Sequence, residues 1–309
     1  MIAIQVKNLT KRFRDIEALK NINLTIEQGE FYCLMGPNGS GKTTLSAIIA
    51  SVRSQTSGIV EIYGKESIKS KDIIGYMPQQ NFSSASLTGR ENLLYFARLN
   101  GYSKKEASNI TNDLFKKLGL ENDADRLVSK YSGGMRKRLE LATILFPNIK
   151  VLILDEPTTG LDPAARRNFF SLIEDIKTSQ ITIILITHIG SDAEFATRVG
   201  LIDKGVIIAE GSPEELKKNN NIKNTINIEV SAKNEEVKEI LVRFNEFEQV
   251  LEMEEGYRIF SNDVAVAIPS IIRAIDKEGN KVLRIESTSP SIEDVFFKLT
   301  GRAVKEISG

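Results

Sequence analysis

The stretch FYCLM-GPNGSGKT-TLSAIIASV, residues 31–52, narrows the possible folds more than any other. Five apolar residues run into a turn holding Gly36, Gly39 and Gly41, and an amphipathic helical pattern starts at Lys42 without a spacer. FYCLM has strand length and is apolar on both faces, the mark of a strand covered on both sides. The turn fits G-x-x-x-x-G-K-[ST]. Gly39 and Gly41 lack a Cβ, so the backbone can curl until its N–H groups converge on one concavity. The helix N-terminus adds partial positive charge at the same point. Gly36, Asn38, Gly39, Ser40, Gly41, Lys42, Thr43 and Thr44 are therefore the expected phosphate cradle. In such a cradle Lys42 reaches the β- and γ-phosphates of a nucleotide and the Thr43 hydroxyl ligates Mg2+.

Other short apolar runs share the character of FYCLM: VLILD (151–155), ITIILIT (181–187) and VGLID (199–203). Amphipathic stretches such as AARRNFFSLIEDIKTS separate them, which indicates an α/β domain with a largely parallel sheet. The first segment, AIQVKNLTKRF and ALKNINLTIEQGE, alternates apolar and polar residues, as a half-exposed antiparallel sheet does. Residues 80–130 read as helical throughout, a helical subdomain inserted in a domain spanning 1–216. The Asn-rich KKNNNIKN, 217–224, reads as a linker. Beyond it, 225–309 follow the order βαββαβ with a final helix, a small ferredoxin-like α+β domain.

Composition removes several classes of function. Lys+Arg and Asp+Glu both number 41, so no basic excess favours nucleic acid, and no nucleic-acid partner is expected. The one cysteine, Cys33, sits in an apolar run, reads as a core residue, and suits a reducing compartment. MIAIQVKNLTKRF has no charged leader before an apolar segment, so no secretory signal is expected. No apolar run approaches the ~20 residues that span a bilayer, so a membrane role must pass through a partner.

A second half of the metal site is expected where an apolar strand ends in an acid. VLILDEP supplies Asp155 for Mg2+, held through water, and Glu156, which projects differently and can face an attacking water. Ser132-Gly133-Gly134 opens another helix. Ser132 can cap it, and the exposed N–H groups can form a second phosphate-facing surface, although these residues taken alone favour a plain capped helix start.

Taken in order, GPNGSGKTT, YMPQQ, YSGGM, VLILDEP, GLD and TH resemble the ATP-binding subunit of ABC transporters, over roughly residues 1–215. The resemblance implies roles. Phe13 in KRF stacks on adenine, a core Phe being the other reading. Gln79 in YMPQQ senses Mg2+ and water and contacts the membrane partner. Ser132 and Gly134, with Gly133 between them, bind the γ-phosphate of ATP held by the other subunit. Asp162 in GLD touches the facing subunit. His188, the only histidine, is the switch histidine that donates to charge developing on the γ-phosphate.

Tyr131 stands where the family has Leu, and Met135 where it has Gln. YSGGM followed by RKRLELA, and the ending PSIEDVFFKLTGR, are similar to the ABC-2 type exporter branch, which includes drug-resistance ATPases. That branch implies an ATP-hydrolysing exporter subunit on the cytoplasmic face of the membrane. Its partners would be a second copy, or a similar ATPase, and an integral membrane permease. Two rivals are a soluble ABC-type ATPase of translation or DNA repair, which usually has two cassettes or a long coiled coil, and a small-metabolite P-loop kinase, which has no need of YSGGM.

Overall fold

The computed structural model describes all residues except 178–179, 222–223, 233–234, 243–246, 254–255, 262–263, 278, 303 and 305–309. The chain divides into two units, Met1–Pro213 and Glu214–Arg302.

The first unit opens with long strands β1 (Ile2–Phe13) and β2 (Ile16–Glu27), then β3 (Phe31–Met35), α1 (Lys42–Ile49), β4 (Ser57–Ile62), β5 (Lys65–Glu66) and β6 (Ile74–Met77). Helices α2 (Gly89–Leu99), α3 (Lys104–Lys117) and α4 (Gly133–Ala142) follow. The rest is β7 (Val151–Asp155), α5 (Pro163–Lys177), β8 (Thr182–Thr187), α6 (Gly190–Ala193), β9 (Arg198–Asp203) and β10 (Val206–Gly211).

The alternating N-terminal segment forms an antiparallel sheet in the order β2-β1-β4-β5. Its apolar positions Ile4, Val6, Leu24 and Ile26 turn inward together, as a two-residue period requires. The runs that are apolar on both faces form the second sheet, β10-β9-β3-β8-β7-β6. Strands β9, β3, β8, β7 and β6 are parallel, and β10 closes one edge antiparallel. Every residue of β3, β7 and β8 is buried. Their register is level: Met35 pairs with Thr187, Asp155 with Ile186, and Met77 with Leu154. The carboxyl ends of β3, β8, β7 and β6 therefore come out side by side, where open α/β sheets place ligands.

Residues 80–130 are not helical throughout. Helices α2 and α3 start at capping boxes, Thr88 with Glu91 and Ser103 with Glu106. Residues 80–88, however, are irregular, and only short 3-10 turns at Glu121–Asp123 and Val128–Lys130 lie between α3 and α4. The cause is a set of distant side chains that take over the backbone polar groups. Glu140 Oε1 on α4 accepts from the N–H of Phe82 at 3.2 Å. Asn92 on α2 accepts from the N–H of Ser84 at 2.8 Å and donates to its carbonyl at 3.0 Å. Groups satisfied in this way have no need of a helical ladder.

Short helix α7 (Pro213–Asn219) precedes the second sheet. The elements that follow are β11 (Asn224–Val230), α8 (Glu235–Val242), β12 (Phe247–Met253), β13 (Gly256–Ser261), α9 (Val264–Lys277), β14 (Val282–Thr288) and α10 (Ile292–Thr300). Of the stretch read as a linker, residues 222 and 223 lie outside the described residues. The sheet order β12-β13-β11-β14, with every pairing antiparallel, is the ferredoxin-like arrangement. Its core joins Ile226, Ile228 and Ile259 of the sheet to Val237 and Leu241 of α8 and Ile271 and Ile275 of α9. Among the described residues no helix is long and apolar enough to cross a membrane.

Candidate active site

The cradle forms where β3 hands over to α1. Gly39 and Gly41 take φ of +78° and +105°, values an L side chain resists. A Cβ on Gly36 would stand 2.1 Å from the carbonyl oxygen of Ile202, so that position also admits only glycine. Asn38 and Gly39 are exposed at the rim, Thr43 and Thr44 begin the helix, and Ser40 and Lys42 are buried. With no side chain capping α1, its first N–H groups stay open toward the loop.

Lys42 is 4% exposed and its ammonium has turned back onto the carbonyls of Gly36 and Pro37, each at 2.8 Å. Burial lowers its pKa, and Glu156 and Asp155 oppose that shift. The Ser40 hydroxyl, also buried, has no hydrogen-bond partner. A buried cation leaning on carbonyls and an orphaned buried hydroxyl both call for an anion, and a phosphate chain fits.

Asp155 ends β7 fully buried. It faces the Thr43 hydroxyl at 3.2 Å, the Ser46 hydroxyl at 3.2 Å and the Tyr76 hydroxyl at 3.4 Å. Burial raises its pKa, and the bonds from Ser46 and Thr43 hold it back. A desolvated carboxylate beside a helix-first threonine suits a hard dication such as Mg2+. Among the described residues no three His, Cys, Asp or Glu side chains gather to cage an ion. This donor set therefore fits Mg2+ that keeps waters and phosphate oxygens as its other ligands.

Glu156, one residue on, points elsewhere. Its φ is +49°, a left-handed value that costs a non-glycine residue ~1–2 kcal/mol. The bend carries its carboxylate between the ends of β6 and β8. Gln79 Nε2 donates to Oε2 at 3.0 Å, and the Thr159 hydroxyl donates to the same oxygen at 3.3 Å. His188 Nδ1 stands 3.1 Å from Oε1, close enough to pair but without hydrogen-bond geometry, so that buried nitrogen is unsatisfied. The imidazole is the largest cause holding the Glu156 carboxyl below its usual range, with burial opposing and Lys42 adding. Gln79, Glu156, His188, Lys42, Thr43 and Asp155 thus meet at neighbouring strand ends.

Ser132, Gly133, Gly134 and Asp162 gather separately. Ser132 caps α4 by accepting from the N–H of Met135 at 3.2 Å. Ser132 and Gly133 are exposed, and a Cβ on Gly134 would meet that of Ala165 at 3.0 Å. Asp162 accepts from the N–H groups of Ala164 and Ala165 at 2.9 Å each, starting α5 and lowering its own pKa. Phe13 ends β1 half-buried, outside the core, with the Lys11 ammonium and the Arg53 guanidinium each 5.0 Å from its ring centroid.

Three further residues complete the site. Ser46 lies three positions after Thr43 on one helix face, a spacing visible in the sequence. Tyr76 and Thr159 gave no sequence signal, because their partners are 79 positions away and across a turn.

Residues 19–159 match the family described as ABC transporter, and residues 211–300 the family described as ATP-binding protein DrrA1-3-like, C-terminal domain. The Nod factor export ATP-binding protein I of Rhizobium sp. (strain N33) is 33% identical over 313 residues, covering 99% of this chain and 99% of that protein. The daunorubicin resistance ATP-binding protein DrrA3 of Streptomyces coeruleorubidus is 31% identical over 322 residues, covering 98% of each. A solved dimeric ATP-binding cassette, in a post-hydrolysis state bound to ADP and Pi, is 30% identical with a TM-score of 0.61. That likeness covers 68% of this chain and 98% of the other.

Proposed function

This chain belongs to the ABC transporter family as an ATP-binding, ATP-hydrolysing subunit, and we propose that it drives export as one half of a nucleotide-bridged dimer on the cytoplasmic face of a membrane permease. The convergence of Gln79 and His188 on the two oxygens of Glu156 carries this reading.

ATP lies with its triphosphate in the Gly36–Thr44 cradle and its adenine against the half-buried ring of Phe13. Lys42 leaves the carbonyls of Gly36 and Pro37 for the β- and γ-phosphates, and Ser40 gains the acceptor it lacks. Asp155, Thr43 and Gln79 would hold Mg2+, which when bound would neutralise charge on the phosphate oxygens. Glu156, turned by its left-handed backbone and fixed by Gln79, polarises the attacking water. His188, its Nδ1 unsatisfied, donates to charge growing on the γ-phosphoryl oxygens. Water forms the new P–O bond as the bond from the γ-phosphorus to ADP breaks.

A second copy contributes Ser132, Gly133 and Gly134, whose exposed helix start suits the far side of the γ-phosphate, and Asp162 beside them. Cleavage severs the bridge, and the dimer can open. The permease contacts the region after Gln79, where Phe82 packs edge-on to Phe96 at 5.6 Å and Tyr95 to Phe96 at 5.4 Å. Tyr95 and Leu99 there are 59% and 67% exposed. Motion at the nucleotide thereby reaches the membrane partner.

Glu156→Gln tests the reading, because the amide keeps the shape and loses the charge. Phosphate release should fall ~10²-fold or more, ATP binding should persist, and light scattering should show an ATP-dependent dimer. A variant that stays monomeric with ATP and Mg2+ overturns the bridged dimer.

A further inference from the structure

Asp192 carries none of the roles above, yet it is fully buried and joins three parts of the site. Its Oδ2 accepts from the Thr158 hydroxyl at 2.5 Å and the Thr187 hydroxyl at 3.2 Å. Its Oδ1 accepts from Arg166 Nε at 2.5 Å, and that guanidinium also donates to the Ser191 hydroxyl at 2.7 Å.

Each partner sits next to a residue with a proposed role. Thr158 is two positions after Glu156, in the turn that carries it. Thr187 is the last residue of β8, directly before His188. Its hydroxyl donates to Asp192 and accepts from the N–H of Ile189 at 3.0 Å, so the backbone on both sides of His188 is held through one side chain. Arg166 lies in the first turn of α5, where its N–H bonds the carbonyl of Asp162 at 3.0 Å.

On the roles proposed above, we infer that Asp192 is a positioning residue for ATP hydrolysis, one buried carboxylate that fixes Glu156, His188 and Asp162 relative to one another. A carboxylate stripped of water is strongly disfavoured unless its partners stay in place: displacing either threonine leaves a buried oxygen short of a donor, and displacing Arg166 leaves the buried charge unpaired. That penalty selects one arrangement of the three. The imidazole of His188 most needs it, because its Nδ1 approaches Glu156 Oε1 at 3.1 Å without the geometry of a hydrogen bond to fix it. Arg166 supplies the countercharge and extends the arrangement to the loop that faces the second subunit.

The test compares the full-length chain with Asp192→Asn, Arg166→Gln and the double variant, measuring phosphate release and the affinity for a fluorescent ATP analogue. Asp192→Asn keeps the shape but cannot balance Arg166. Its kcat should fall between ~10-fold and ~10²-fold, the scale of a misplaced catalytic group, with nucleotide affinity within about twofold. Arg166→Gln should lose a similar factor, and the double variant should be no slower than the worse single one, since both break one network. Thr187→Val gives a second reading that leaves the ion pair intact, and kcat should again fall with affinity kept. The inference is overturned if Asp192→Asn keeps kcat within about twofold, or loses affinity in step with turnover as a merely structural role predicts. Should Asp192→Asn fail to fold, unchanged turnover in Thr187→Val overturns it instead. A parent chain with no ATP turnover overturns the functional reading beneath it, which separates the two failures.

Discussion

Gln79 Nε2 donates to Glu156 Oε2 across 3.0 Å, linking the end of β6 to the residue after β7. The Glu156 carboxylate, proposed to polarise the attacking water, is therefore oriented by a side chain from the segment that leads into the irregular residues 80–88. A permease that presses on that segment can turn Glu156 without touching the nucleotide.

Gln79→Ala should therefore lower kcat about tenfold while ATP affinity stays near that of the parent. The added turnover that the permease elicits should be lost as well. Phosphate release by the chain alone and in vesicles with its permease measures both. Full stimulation in the variant would remove Gln79 from the link.

His188→Ala removes the donor proposed to meet developing charge, so turnover should fall ~10²–10³-fold. It also removes the largest cause of the low Glu156 pKa. In the parent the base stays ionised to a pH below the ordinary carboxylate value. In the variant, protonation begins at higher pH, so the acid limb of the residual pH–rate profile should move upward. A limb that does not move would mean that Glu156 is not the group titrating there.

Asp155→Asn should abolish Mg2+-dependent turnover yet raise the melting temperature at pH 7. Burial raises the Asp155 pKa above its unfolded value. The ionised carboxyl therefore weakens the fold at every pH above the folded pKa, and protonation lifts that penalty as pH falls through it. The advantage of the amide should shrink on acidification, read as ~2–4 °C for each kcal/mol relieved. Melting curves at descending pH check this. A variant that melts below the parent at pH 7 contradicts it.

Gly41→Ala and Gly39→Ala separate strain from collision in the cradle. Both positions hold positive φ, which costs an alanine ~1–3 kcal/mol. Nothing lies within 4 Å of a Cβ on Gly39, whereas one on Gly41 meets the carbonyl of Ala18 at 2.7 Å. Gly41→Ala should be the less stable of the two and should lose ATP binding, as thermal melting and nucleotide titration will report.

The Gly-rich turn and the buried acid that ends β7 were legible in the sequence because each depends on neighbours in the chain. A Gly-rich turn between an apolar strand and a helix needs only its own residues to curl, and an apolar run ending in Asp155 needs only its period. Ser132 as a helix cap and Asp162 at the start of α5 are equally local. The sequence-based expectation of helix over residues 80–88 failed for the opposite reason. The longer stretches of 80–130 carry a helical pattern, but over 80–88 Glu140, 58 positions from Phe82, claims backbone donors. The same holds for the site itself. Strand order β3-β8-β7-β6 makes Gln79, Glu156 and His188 neighbours, and a buried Asp192 ties together segments up to 34 positions apart. Local sequence set which residues could bear charge or bend. Only tertiary packing decided which oxygen of Glu156 meets which partner, because a 3 Å contact depends on the register of whole strands.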